Sequence, residues 1–215
     1  MVYKMNKCRR EKGYSLIELL VVVAILAVVM AVAAFSYRTA MRATRVKQGL
    51  SDLYDGFSRC RSEAIIQNGD ITVVYTPADR TVTFTQGATV LSRIVFSNTT
   101  VDPGNPKDGA DYHFEEYTVI RSNARDGSTA VTGLDVDGDG VNDSIPILAD
   151  AAVNITIQQT GFINGVGNAS AVLLMHQGDI DDNDTSGERQ YALVIFSTGL
   201  LKRVRHMPDG NWELF

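Results

Sequence analysis

The chain has 215 residues, enough for one folded domain with a real core, and its 45% hydrophobic and 21% charged content excludes disorder as the first reading. Five Lys/Arg and one acid fall within residues 1–13, so that segment carries +4 and the remainder −9 of a net −5. A basic leader thus precedes an acidic body whose overall field repels nucleic acid. Of the two cysteines, Cys8 lies in the leader and Cys60 in the body. Removal of the leader leaves Cys60 alone, so the body is expected to be stable without an internal disulfide. Cys60 falls on an apolar helix face and reads as a small core residue.

Residues 16–34 (LIELLVVVAILAVVMAVAA) are apolar throughout except for Glu18. As a helix rising about 1.5 Å per residue, this run is long enough to cross a hydrocarbon core of about 30 Å. The basic residues ahead of it orient the N-terminus to the cytoplasm and the body outside. An ordinary secretory signal peptide and a plain signal anchor compete with this reading, and residues 31–34 contain the small side chains that signal cleavage requires. Glu18 separates the readings. A carboxylate at the start of a span costs a few kcal/mol and needs a partner.

Glu18 stands in the string Lys12-Gly13-Tyr14-Ser15-Leu16-Ile17-Glu18. This resembles the class III signal of type IV prepilins, in which a basic leader ends in Gly and Glu is the fifth residue of the mature chain. The resemblance implies cleavage by a prepilin peptidase between Gly13 and Tyr14, with N-methylation of Tyr14. Tyr14 departs from the commoner Phe and keeps the aromatic character. It also implies storage in the bacterial inner membrane and assembly with other pilins or pseudopilins through the N-terminal helix. In a staggered bundle the Glu18 carboxylate would meet the new N-terminal ammonium of a neighbour. That pair is strong in low dielectric, and an unpaired buried charge there is costly. Glu18 is therefore expected to set the register of assembly.

The helix continues past the span. Val46, Leu50, Leu53, Phe57, Cys60 and Ala64 recur at spacings of four and three, with Arg42, Arg45, Lys47, Asp52, Arg59 and Glu63 on the other face. One helix is expected over residues 15–67, closed by Asn68-Gly69 as a C-cap, with Gly49 as a point where it bends. Beyond Gly69 the pattern turns to period two. Residues 71–76 and 80–85 read as a hairpin, and 90–96, 112–120, 153–159, 171–176, 190–197 and 200–206 as further strands. Residues 98–110 read as a loop rich in Pro, Gly and Asp, and 122–150 as mostly polar. A long helix followed by strands argues for an α+β fold, with antiparallel sheets packed against the helix. The expected organisation is a leader at 1–13, a transmembrane or filament-core helix at 14–35, its amphipathic continuation at 36–68, and a β-rich body at 69–215 with a loop insertion at 98–150.

Two C-terminal strings resemble the GspH/FimT branch of the same superfamily. Ile155-Thr156-Ile157-Gln158-Gln159-Thr160-Gly161 is similar to a family strand followed by a Gly turn. Residues 192–205 (ALVIFSTGLLKRVR) are similar to the family's closing hairpin. This resemblance implies a minor subunit of a type IV pilus or of a type II secretion pseudopilus, with a long helix against two antiparallel sheets. It leaves residues 98–150 uncovered.

Asp135-Val136-Asp137-Gly138-Asp139-Gly140-Val141-Asn142-Asp143 has the front of a calcium loop: Asp135, Asp137 and Asp139 at alternate positions, then Gly140, a carbonyl from Val141, and Asp143. Pro146 stands where a bidentate Glu would complete an EF-hand, so a Ca²⁺ site needs a further ligand such as Asp150 or water. The bland alternative is a solvated acidic loop. Residues 179–184 form a second acidic run without the turn glycine, read as an exposed hairpin tip. Lys202, Arg203 and Arg205 form a basic stretch. In some FimT-type relatives basic residues on this strand bind DNA, although here the stretch is offset by two residues from that pattern. DNA uptake is the alternative function, opposed by the acidic body. His113, His176 and His206 are widely spaced and read as structural, and no catalytic arrangement stands out. The reading is a structural subunit. A secreted domain or enzyme on a simple signal anchor is the remaining alternative, and it predicts a mature start other than Tyr14.

Overall fold

The computed structural model describes residues 15–97, 111–124, 127–136, 138–148, 153–182, 190–207 and 209–215. Helix α1 (Leu16–Gln67) leads into β1 (Ile71–Thr76), β2 (Thr81–Gln86) and β3 (Thr89–Ser97). Next come β4 (Asp111–Glu116), β5 (Thr118–Arg121), β6 (Ala130–Leu134), β7 (Asp143–Pro146), β8 (Val153–Ile157) and β9 (Ile163–Asn164). The chain closes with β10 (Ala169–His176), a short helix α2 (Gln177–Asp181), β11 (Tyr191–Phe196), β12 (Leu201–His206) and β13 (Trp212–Leu214). The first sheet has the order β4-β3-β2-β1-β8-β9, the second β13-β12-β11-β10-β5, and β6-β7 form a separate ribbon. Strand pairing is antiparallel except between β3 and β4, which run parallel. This is an α+β fold of the type IV pilin-like kind: a long apolar N-terminal helix followed by sheets that are mostly antiparallel.

Contacts divide the chain into two units, Met1–Ala40 and Met41–Phe215. In the first, the large apolar side chains of residues 16–32 are between 49% and 81% exposed. In the second, the stripe expected from the spacing is the buried one: Val46, Leu50, Leu53, Phe57, Cys60 and Ala64 are each at most 2% exposed. They form one core with Ile71, Val73, Phe84, Ile94 and Ile157 of the first sheet and Val172, Leu174, Leu193 and Ile195 of the second. Phe57 and Phe84 meet edge to face at 5.3 Å, a favoured aromatic geometry.

The helix ends where the sequence places the end. Asn68 takes the left-handed conformation (φ 52), and the Gly69 N–H donates to Ala64 O at 3.1 Å, the six-to-one bond of a Schellman cap. α1 runs through Gly49 uninterrupted, and packing gives this glycine a role of its own. A Cβ at Gly49 would stand 3.2 Å from both Glu115 Oε2 and Thr118 Cγ2, and one at Gly56 would stand 3.1 Å from Phe84 Cζ. These two glycines, seven residues apart on one face, let the strands approach the helix backbone closely.

Three sequence expectations are corrected. The stretch read as one strand over 112–120 is two strands in different sheets, separated at Tyr117 with φ 59. A β-carbon residue at positive φ cannot continue a strand, and here it marks the crossing between sheets. The stretch read as a polar loop over 122–150 contains the β6–β7 ribbon. Its Val131, Ile145, Ile147 and the adjoining Val136 form a second core with Val119, Ala171, Leu173, Val194, Val204 and Trp212 on the far face of the second sheet. The second acidic run begins in α2, where Asp179 is 3% exposed, so its first part is not an exposed tip.

Candidate functional site

Residues 8–14, including Gly13 and Tyr14, lie outside the described residues. Immediately after them α1 starts at Leu16, with the backbone N–H groups of Glu18 and Leu19 donating to Ser15 O at 3.0 and 3.2 Å. Glu18 sits in the first helical turn, where the free N–H groups and the helix dipole favour a negative charge. Its side chain is exposed, as are its apolar neighbours. Among the described residues α1 is the helix long and apolar enough to cross a bilayer, and none of its most apolar stretch is buried.

The acidic loop joins β6 to β7. The Asp135 carboxylate accepts from the backbone N–H groups of Gly138 at 2.6 Å, Asp139 at 3.1 Å and Gly140 at 2.9 Å. Asp143 Oδ2 accepts from Val136 N, and Asp139 Oδ1 from Val141 N. Gly138 and Gly140 both adopt φ 87, the positive-φ geometry that glycine supplies freely. The loop is thus folded around its own carboxylates. Asp137 lies outside the described residues, and among those described no three His, Cys, Asp or Glu side chains are placed to hold a metal.

The basic strand β12 does not present its three cations on one surface. Alternation along the strand puts Lys202 with Val204 on the face of the second core, where its Nζ donates to Val136 O. Arg203 and Arg205 face the other way, with Leu201, which packs against the first core. Arg205 Nε and Nη2 both donate to Glu213 Oε2, at 3.1 and 2.8 Å. The Arg203 guanidinium lies over the rings of Tyr54 at 5.1 Å and Phe215 at 5.8 Å. Trp212, 4% exposed, anchors β13 to β12, and buried His206 stacks edge-on against it at 4.9 Å.

Arg61 is the residue that sequence reasoning missed. From the outer side of α1 its Nε donates to Gly161 O at 2.9 Å, its Nη1 to Gly199 O at 3.0 Å and its Nη2 to Thr198 O at 3.4 Å. The two glycine turns that carry the C-terminal resemblance therefore converge on one helical arginine. Both glycines have positive φ, 83 and 84, and a Cβ at Gly199 would stand 2.4 Å from Gly161 O. The signal in the sequence was the pair of Gly turns; nothing in the helix singled out Arg61 among the other basic residues.

Several further charged residues of the body pair across elements. Arg42 reaches Asp179 at 3.2 Å, and also Asp182, at the far side of α2, whose start is capped by His176 Nδ1 accepting from Gly178 N. Arg45 pairs with Glu116 at 3.5 Å and lies over the Tyr117 ring, and Arg59 pairs with Asp111. Glu115 is 4% exposed beside Asp52. Burial, then a hydrogen bond and the charge of Asp52, push the Glu115 carboxyl up to about 9, so at neutral pH it holds a proton that it can donate to Asp52. His113 Nδ1 lies 3.4 Å from the same aspartate. Cys60 is buried and its thiol pushed up to about 11, chiefly by burial, so it is an inert core side chain.

Residues 8–34 match the model of the prokaryotic N-terminal methylation motif. No curated protein and no solved structure matches the chain. The matched segment contains the proposed cleavage junction, Glu18 and the whole exposed apolar run. Such a motif implies processing by a prepilin peptidase and assembly with other pilins, and with the apolar helix it fits anchoring in the inner membrane. Subunits with this signal are typically structural rather than catalytic. The chain carries a class III prepilin signal and is type IV pilin-like.

Proposed function

We propose that this chain is a minor pilin or pseudopilin of the GspH/FimT kind, a structural subunit that assembles into, or primes, a type IV pilus or type II secretion pseudopilus. In this reading residues 1–13 are removed after Gly13 and Tyr14 is methylated. Residues 14–35 first span the inner membrane with the body outside, then enter the filament core; 36–68 continue the helix and 69–215 form the body. The observation that carries the reading is the methylation motif that takes in the apolar run 16–34, whose single acid, Glu18, has no cation of its own chain beside it in the sequence. An acid in hydrocarbon needs a counter-charge, and cleavage creates one at Tyr14 of a neighbouring subunit.

The test is mass spectrometry and immunoblotting of filaments sheared from cells with active processing machinery. The wild type should appear with a methylated Tyr14 start. Glu18→Ala should be cleaved normally yet fall about tenfold or more in the sheared fraction. A chain retaining residues 1–13, or normal incorporation of Glu18→Ala, would overturn the reading. The DNA-uptake alternative draws no support from β12, whose Lys202 faces away from Arg203 and Arg205 and whose Arg205 is held by Glu213.

A further inference from the structure

Among the described residues of the body, Arg42, Arg45, Arg59 and Arg205 are each matched by a carboxylate. Arg61 and Arg203 are not. Of the five N–H donors of a guanidinium, Arg61 commits three to the carbonyls of Gly161, Gly199 and Thr198, and no carboxylate meets it among the described residues. Arg203 is held by the rings of Tyr54 and Phe215, with no carboxylate pair among the described residues.

Arg61 lines a groove, and Arg203 lies over the ring of Tyr54, which lines the same groove. Tyr54, Ser58, Arg61, Ser62 and Ile65 of α1 form one wall and Leu200 the other, around about 290 Å³ of open space. Tyr54, Ser58, Arg61 and Ile65 recur at spacings of four, three and four, a half-buried stripe of the helix that ends in exposed Ile65. Ile65 is 50% and Leu200 46% exposed. The adjoining Ile66 and Phe162 are 77% and 52% exposed, so apolar exposure in the body is concentrated around this groove. Two uncompensated cations on a net-acidic body, beside exposed aliphatic side chains, match a carboxylate set next to an apolar residue. A phosphate backbone would not use the aliphatic walls and would meet the repulsion of the whole body.

We propose that this groove receives an acidic, apolar-flanked segment of a neighbouring pilin-like subunit, with its carboxylate at Arg61 and Arg203. The inference rests on the assembly reading above. Arg61 itself holds two turns, so the test leaves it untouched and changes the walls. Ser62, an exposed side chain whose hydroxyl donates to Ser58 O, tolerates substitution without loss of packing.

Full-length Ser62→Glu and Leu200→Glu should each fall about tenfold in sheared filaments, because the added carboxylate neutralises the cations and repels the incoming acid. Ser62→Lys and Leu200→Lys should remain near wild type, and protease resistance of the detergent-solubilised chains should be the same for all four. Incorporation of folded Ser62→Glu and Leu200→Glu at the wild-type level would overturn this proposal alone. Absence of the wild type itself from the filaments would overturn the assembly reading, and this one with it. Retardation of duplex DNA by the solubilised wild type, lost in Ser62→Glu, would replace the protein carboxylate with a nucleic-acid phosphate.

Discussion

The two ends of α1 share one hydrogen-bond ladder and differ in where their apolar side chains go. From Leu16 to Gln67 the helix is continuous. In residues 16–34 apolar side chains surround the axis and are exposed, whereas in residues 46–64 they form a single stripe at most 2% exposed. A helix that is apolar all round is a span or a bundle core, and one with a single stripe is covered by its own domain. The first end therefore needs a partner from outside the chain, lipid or another subunit, and the second has found its partners in the two sheets. Glycine shows the same contrast. Gly49 and Gly56 occur only in the second end, where Glu115, Thr118 and Phe84 press against the backbone.

The largest effect that would break this comparison is on stability. Phe57→Ala should destabilise the body by about 3–5 kcal/mol, because it opens a cavity between α1 and both sheets. The melting temperature of the detergent-solubilised full chain should fall on the order of 10 °C. Val23→Ala removes apolar surface from the same helix and should shift it by less than about 2 °C. Equal shifts for the two variants would show that the ends are not distinct.

A smaller effect sharpens the contact at Gly49. The Glu115 carboxyl titrates near 4.5 when unperturbed and near 9 in the fold. The folded chain binds that proton more tightly, so the stability it contributes is fully present below 4.5, declines as pH rises and is lost through 9. Glu115→Gln lacks this dependence. It should melt close to wild type at pH 5 and several degrees higher at pH 9.5, about 2–4 °C for each kcal/mol. A gap that does not widen with pH would mean that Glu115 is ionised in the fold.

The smallest expected effect concerns the acidic loop, which lies in the second unit and far along the chain from both ends of α1. Calcium there is a proposal, in which Asp137 joins Asp135, Asp139, Asp143 and the Val141 carbonyl. The affinity expected for such a module is about 10⁻⁴–10⁻³ M. Limited proteolysis between residues 135 and 143 should slow modestly in millimolar calcium. Cleavage at the same rate with calcium and with chelator would leave a loop closed by its own amide hydrogen bonds.

Local chemistry alone determined several features of this protein. The apolar run with one acid, the heptad-like stripe, the Asn68-Gly69 stop and the β1–β2 hairpin each depend on neighbours within a few residues, and each was legible in the sequence. Tertiary structure decided the rest. Thr118 to Arg121 form a strand of the second sheet only because Tyr117 turns the chain out of the first. Residues 130–134 and 143–146 are too short and too polar to announce strands. They hold because Val131 and Ile145 find Leu173 and Val194 across the second sheet. Lys202, Arg203 and Arg205 look like one basic patch in a row of letters, yet strand alternation divides them between two faces. Arg61 gains its place only when turns 100 and 138 residues further along the chain arrive beside it. Periodicity reports which face of an element is apolar, but the partner that covers the face is set by packing between residues remote in the chain.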